Sequence, residues 1–310
     1  MKSSLSRRTF LAAAGVGLGT LAQPRSQAAE SAPAEPFGYC LNTSTIRGQK
    51  LPIVQEIEIA ARAGYQGIEP WVTELDQHGT EGKSLKDHAN LNRDRGLVVA
   101  DVIAFAEWIV DDDARRRKAL EEAKRIMGIC QEIGSKHMAA PPQGAREGPR
   151  VDFARAAERY AALCKIGESM GVAPALEVWG FSPNITRLSV ATMVAMDSGA
   201  ANACVLADVY HLYKGGSNPN SLRLLSKDAI AILHTNDYPA KERAVITDAD
   251  RIYPGDGVAP LKQIFNDLRA IGYRGMLSLE LFNRDYWQKD ALAVAVAGLE
   301  KLKAAVRASA

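Results

Sequence analysis

The sequence is poor in the features that mark several large protein classes. Four cysteines, Cys40, Cys130, Cys164 and Cys204, are scattered over 310 residues with no CxxC pair. Neither a disulfide framework nor a thiolate metal site is indicated, and all four read as buried thiols. Charge of one sign is missing too, with 38 basic against 36 acidic side chains. A surface built to neutralise a phosphate backbone is therefore not expected, and nucleic acid is not an expected partner. No apolar run reaches the ~20 residues that a stable membrane-spanning helix requires. No stretch rich in Pro, Gly or Ser divides the chain, which points to one folded domain.

The N-terminus reads as a separate unit. Ser6-Arg7-Arg8-Thr9-Phe10-Leu11 resembles a twin-arginine translocation signal, followed by small and apolar residues from Leu11 to Ala22 and a small-residue cleavage region near Ala28 and Ala29. Residues 1–29 are expected to be a signal peptide, 30–36 a short linker and 37–310 the folded domain. The twin-arginine export machinery would then deliver a folded protein to the periplasm, with no stable membrane insertion. Setting aside Lys2, Arg7, Arg8 and Arg25 leaves the remainder close to neutral.

Beyond Phe37, short β-rich apolar runs alternate with longer segments of helical period, the pattern of a parallel α/β fold. Strands are expected at Gly38 to Ser44, Gly67 to Trp71, Val98 to Phe105, His137 to Pro141, Ala175 to Trp179, Val205 to Tyr210, Ile230 to Thr235 and Met276 to Phe282. Helices are clearest at Pro52 to Ala63, Ala114 to Ile133, Phe153 to Met170, Pro260 to Ile271 and Asp290 to Val306. The phrase helix, Gly-Tyr-x-Gly, strand occurs twice, at Gly64 to Gly67 and Gly272 to Gly275. Its first glycine is suited to the left-handed conformation that ends a helix. Eight β/α units in about 270 residues fit a single closed (β/α)8 TIM barrel better than an open sheet. Long connections at Val72 to Ser84 and Tyr238 to Gly257 would then lie as loops on the catalytic face.

A buried parallel strand should be almost wholly apolar, yet four successive strands carry a polar ligand-type residue near the C-terminal end. These are Glu177 in Leu-Glu-Val-Trp, Asp208 in Leu-Ala-Asp-Val-Tyr-His, His234 in Leu-His-Thr-Asn-Asp and Glu280 in Leu-Glu-Leu-Phe. Three carboxylates brought together raise one another's pKa unless a cation neutralises them. One divalent cation held by Glu177, Asp208, His234 and Glu280 is the expectation, with a metal-free ion-pair network as the alternative. Three oxygens and one nitrogen suit Mn²⁺ first, with Mg²⁺, Co²⁺ or Zn²⁺ also compatible.

This quartet resembles the metal set of the xylose isomerase-like barrel superfamily, in the branch of ketose 3-epimerases, hydroxypyruvate isomerase and inosose dehydratase. The resemblance extends to Asp208-x-x-His211, Gly67-Ile68-Glu69 and Pro254-Gly255-Asp256-Gly257, and covers residues 37 to 305. It implies a metal-dependent isomerase or epimerase of an unphosphorylated sugar or keto-sugar. Glu177 and Glu280 would exchange protons with the substrate through a cis-enediolate. Barrels of this branch commonly assemble as dimers or tetramers, so a homo-oligomer is implied.

The resemblance also places an arginine after the strand-seven histidine. Lys241 and Arg243 are taken as candidates for that substrate contact, and Arg251 is nearby. His211 and Glu69 are candidates for binding substrate hydroxyls, while Trp108 and Trp179, with Trp71, could stack on a sugar or pack in the core. His78 could reach the site from its loop, whereas His88 and His137 read as structural. Two other functions use the same framework. A dehydratase would expel a β-hydroxyl from the same enediolate, and a periplasmic carbohydrate-binding barrel would keep the pocket without turnover. The apurinic endonuclease branch needs a histidine-rich three-zinc cluster, which five histidines do not supply.

Overall fold

The structure is a computed structural model that describes residues 36–310. The expected signal peptide, and with it the twin-arginine motif, lies outside the described residues. The described residues form eight parallel strands: β1 (Gly38–Asn42), β2 (Gly67–Glu69), β3 (Val98–Val99), β4 (His137–Ala140), β5 (Ala173–Glu177), β6 (Cys204–Asp208), β7 (Ile230–Thr235) and β8 (Met276–Leu279). They pair in the order β3-β2-β1-β8-β7-β6-β5-β4. The two outer strands of that order meet where Ala139 N donates to Val102 O at 3.0 Å. This is the expected (β/α)8 barrel. Among the described residues nine α-helices surround it: α1 (Ile53–Ala63), α2 (Val72–Thr80), α3 (Leu85–Asp94), α4 (Asp113–Ile133), α5 (Phe153–Met170), α6 (Leu188–Asp197), α7 (Val209–Gly215), α8 (Leu261–Ala270) and α9 (Ala291–Ala308). Among the described residues no helix is long and apolar enough to cross a membrane.

Two apolar layers hold the fold together. Ile103, Ala139, Ala175, Cys204, Leu206 and Ile232 fill the barrel interior, and a larger layer packs the outer strand faces against the helices. Fully burying each Leu or Ile in these layers contributes about 1.5–3 kcal/mol. The four cysteines are free and buried, as expected. Both Gly-Tyr-x-Gly phrases work as the sequence suggests: Gly64 (φ 92°) and Gly272 (φ 78°) end α1 and α8 in the left-handed region. Each following tyrosine then tethers itself to backbone, Tyr65 to Ala295 O and Tyr273 to Met276 O, both at 3.0 Å.

Three local departures position the site. The expected strand from Val98 to Phe105 pairs regularly only at Val98–Val99. Ala100 N still bonds Ile68 O and Ile103 N bonds Pro70 O, so three residues on this side span two on β2, and the extra residue is a bulge. A second irregularity lies in β7. Val205 pairs Ile230 but Leu206 pairs Ile232, and this one-residue shift brings Asp208, rather than Val209, opposite His234. The expected loop from Val72 is instead the short helix α2. Glu74 closes its first turn by accepting from Trp71 N at 2.9 Å and from the Thr43 hydroxyl at 2.7 Å.

The expected loop after β7 is present and is firmly pinned. Asp237 and Ile252 exchange two backbone hydrogen bonds of 2.9 Å. The Asp237 carboxylate also accepts from the N–H groups of Tyr238, Gly255, Gly257 and Ala259 at 2.8–3.1 Å. Pro254-Gly255-Asp256-Gly257 is thus the strap that wraps this acid. Gly255 takes φ 91°, and a Cβ on Gly257 would collide with Asp237 and the Tyr238 carbonyl.

Candidate active site

Asp208, His234 and Glu280 converge at the C-terminal ends of β6, β7 and β8, each offering a ligand atom within 4.8 Å of the others. Glu177, at the end of β5, lines the same cavity together with Glu280 but stands outside that tight group. All four are buried. Asp208 also ends its strand, because its Oδ1 accepts from His211 N at 2.8 Å and so starts α7. For this reason β6 stops at Asp208 instead of continuing to Tyr210.

His234 is aimed by a carboxylate behind it. Its Nε2 lies 2.9 Å from Glu69 Oε1, and Glu69 Oε2 accepts from Ser278 Oγ at 2.5 Å and Asn42 Nδ2 at 2.9 Å. The other ring nitrogen, Nδ1, faces the acids, 3.0 Å from Glu280 Oε2 and 3.6 Å from Asp208 Oδ2. Its approach misses hydrogen-bond geometry, so this buried nitrogen has no hydrogen-bond partner. A buried nitrogen without a partner that faces two carboxylates fits a metal ligand set. Asp208, His234 and Glu280, joined by Glu177 across the cavity, are the residues that could hold a divalent cation.

The acids also draw on protein charges. Arg251 donates through Nη1 to Asp208 Oδ2 (2.7 Å) and Glu280 Oε2 (2.6 Å), and through Nη2 to Asp248 Oδ1 (2.6 Å). Burial alone would raise the Asp208 carboxyl, but Arg251, His211 and His234 hold it well below the usual range. Burial likewise raises Glu280, against the opposing pull of His234 and Arg251. Glu177 is pushed up to about 8, first by burial, with Glu280 and Asp208 adding to the rise and His234 opposing it. Burial would depress His234, yet Glu280 and Glu69 outweigh it and keep the ring well above its ordinary value. His211 is driven down to about 4 by burial, with Asp208 pulling it up and Arg251 pressing it further down, and so stays neutral near pH 7. A neutral imidazole has one acceptor nitrogen. Gly180 N approaches Nδ1 at 3.3 Å and Arg251 Nη2 approaches Nε2 at 3.2 Å, so only one of these contacts is an accepted hydrogen bond.

Several sequence candidates lie elsewhere. Lys241 is bound by the Asp250 carboxylate at 2.9 Å, and Arg243 lies 5.3 Å over the Tyr213 ring, so neither lines the cavity. Arg251 occupies the place proposed for them. The signal for it was its position directly before Ile252-Tyr253 and the Pro-Gly-Asp-Gly strap, which pins it over the acids. Glu69 turns into the barrel toward His234 and does not face the cavity. Trp108 is fully buried against Tyr160, with Nε1 donating to Pro141 O at 2.7 Å, and belongs to the core. His78 is buried between α2 and α3 against His88. Trp179, Trp71 and His211 do line the cavity.

Residues 57–305 match the family described as the xylose isomerase-like TIM barrel. The chain belongs to this family. This xylose isomerase-like barrel is 27% identical over 255 residues to an inosose isomerase of Bacillus velezensis, covering 81% of the chain and 91% of that protein. It is 26% identical over 259 residues to a 3-dehydroshikimate dehydratase of Pseudomonas aeruginosa, covering 80% of the chain and 39% of that protein. Among solved structures, the IolI protein with a bound zinc atom superposes with a TM-score of 0.83 at 22% identity, over 88% of this chain and 99% of that one.

Proposed function

We propose that this chain is a divalent-metal-dependent isomerase or epimerase of an unphosphorylated sugar-like hydroxyketone, working through a cis-enediolate. The observation that carries the reading is the His234 Nδ1 atom, buried without a hydrogen-bond partner and facing Asp208 and Glu280. A cation bound there would stabilise negative charge on two adjacent substrate oxygens. Glu177 and Glu280 both line the cavity and serve as the proton-exchanging pair. Glu177 ends β5 on the cavity that Glu280 also lines, placed to take a proton from carbon and return it. Arg251 and His211 hydrogen-bond substrate oxygens, while Trp179 and Trp71 pack against the carbon skeleton. The sharing of this fold by relatives named as an isomerase and a dehydratase supports enediolate chemistry, since such an intermediate either returns a proton or expels a β-hydroxyl.

The test is turnover of a panel of hydroxyketones in deuterated water by protein whose metal content has been measured. Incorporation of deuterium into a product of unchanged formula, lost in Glu177→Gln and Glu280→Gln, is the expected result. Loss of water from the product would move the protein to the lyases. Ligand binding without turnover, unaltered in both variants, would make it a binding barrel. Mn²⁺ is proposed as the resident cation, to be checked by elemental analysis. Placement in the periplasm through the twin-arginine motif is part of the same reading, since sugar phosphates are scarce there. Retention of an Arg7→Lys, Arg8→Lys chain in the cytoplasm tests it.

A further inference from the structure

The cavity at the barrel mouth, about 190 Å³, has two unlike walls. Glu177, Glu280, His211, Asp248 and Arg251 make a polar wall over β5 to β8, where Arg251 pairs with Glu280 and Asp248. The aromatic wall adjoins it, with the Phe282 ring 5.0 Å from the Arg251 guanidinium and the Phe181 ring 5.5 Å from His211. Trp71 lies 5.0 Å from Phe105 and 6.1 Å from Phe282, Phe105 lies 6.3 Å from Trp179, and Trp179 lies 5.2 Å from Phe181. The Trp71 indole N–H is already given to Asn42 at 3.2 Å. An open-chain polyol laid along this wall would leave its hydroxyls without partners, whereas the C–H face of a ring is matched to it.

Arg146 stands at the rim and is unlike the other charged residues of the cavity. Its guanidinium lies 4.5 Å above Trp179 and 5.7 Å from Phe181, exposed, with no hydrogen bond or ion pair among the described residues. The backbone that presents it is anchored. Gly144 (φ 79°) packs so closely on Val110 and Glu107 that a Cβ would clash. Ala145 is buried with its carbonyl taken by Asn184 Nδ2 at 2.7 Å, and Val151 N returns a bond to Asn184 Oδ1 at 2.9 Å. A guanidinium stacked by its face keeps its N–H edge free for a planar anion.

We propose that Arg146 and the aromatic wall form a distal subsite for a ring hydroxyketone that carries a carboxylate. The ring's adjacent oxygens face Glu177 and Glu280, its C–H face lies on the aromatic wall, and its carboxylate meets the free edge of Arg146. One lone cation matches one negative charge. A phosphoryl dianion would call for further cations, and Arg146 is the only Lys or Arg besides the engaged Arg251 among the cavity-lining residues. The subsite names the substrate class of the function proposed above and rests on that reading for the orientation of the ring.

The experiment measures binding to metal-loaded protein by tryptophan fluorescence, with 3-dehydroshikimate, its primary amide and a phosphorylated ketose as probes. Wild type is expected to hold the carboxylate at least ~10-fold tighter than the amide. Arg146→Ala should collapse that ratio toward one and Arg146→Lys should keep part of it. Arg155→Ala, which removes an exposed charge outside the cavity, should retain it. Equal affinity for carboxylate and amide in wild type, or tightest binding of the phosphorylated probe, overturns the subsite. Turnover of hydroxyketones without any Arg146-dependent ratio would leave the proposed function standing and remove the subsite. An Arg146-dependent ratio with no turnover of any hydroxyketone would do the reverse.

Discussion

At Glu69 a carboxylate that ends a strand turns away from the cavity and accepts a hydrogen bond from His234 Nε2, leaving Nδ1 to face Asp208 and Glu280. Sequence position could not distinguish this from a substrate contact. The direction of a strand-end side chain depends on the pleat and on what fills the barrel beneath it, here Ser278 and Asn42. That Glu177, Asp208, His234 and Glu280 share one site was legible because polar residues interrupt apolar strands at these positions. Trp108 was not, since an indole before a loop reads alike whether it faces core, cavity or solvent. Loss of an outer carboxylate typically lowers metal affinity by about 10–100-fold. Glu69→Gln should therefore weaken metal binding by calorimetry over that range, with Glu69→Asp recovering part of it; affinity equal to wild type would show that Glu69 does not position His234. His88 gives a pH-dependent counterpart far from the acids. Burial, with help from His78, drives His88 down to about 4, against about 6.5 in an unfolded chain. The unfolded state then binds more protons between these values, so stability falls as pH drops from about 6.5 to about 4. Urea unfolding over that range should show the decline, and His88→Phe should flatten it.

Among the elements, the loop after β7 does the most to assemble the site, because it delivers Arg251 and is itself held by one carboxylate. Asp237→Asn replaces an acceptor of four N–H bonds with a group that carries donors of its own, and Gly257→Ala pushes a methyl against the same acid. Each is expected to destabilise by about 1–3 kcal/mol, the cost of leaving buried groups unsatisfied. Amide exchange should rise over residues 238–257; an unchanged exchange pattern would show that the strap does not depend on Asp237. The Pro-Gly-Asp-Gly strap was readable as a motif, but the acid it wraps was not, since Asp237 lies seventeen positions before Pro254. α2 was missed for a related reason. Val72, Leu75 and His78 are its buried residues, too few to print a helical period, and the turn is nucleated by Glu74 and Thr43.

Across the whole molecule, the alternation of strand and helix made the barrel legible, and most boundaries fell within two residues. Strand ends were overestimated where a polar residue redirects the chain, as at Asp208, and where a bulge interrupts pairing, as after Val99. That bulge leaves the barrel unevenly sewn. β5, β6, β7 and β8 pair in unbroken succession, whereas β3 and β4 are joined through the Ala139 N to Val102 O bond and a contact of 3.3 Å between His137 Nδ1 and Ala100 O. Hydrogen exchange should accordingly be faster at the Ala139 amide than at amides inside β6 and β7; equal protection would show that the closure is as strong as the paired ladders.

The seam between β3 and β4 lies across the ring from His234 and Glu280, at the ends of β7 and β8. Phe105 and Arg146, proposed to meet the remote part of a substrate, follow the seam strands β3 and β4, while Glu280, proposed to exchange protons, follows β8. A lineage can therefore retailor the first set through insertions and substitutions after β3 and β4 while the second keeps its spacing. Such a division lets one chemical engine be refitted to new cargo.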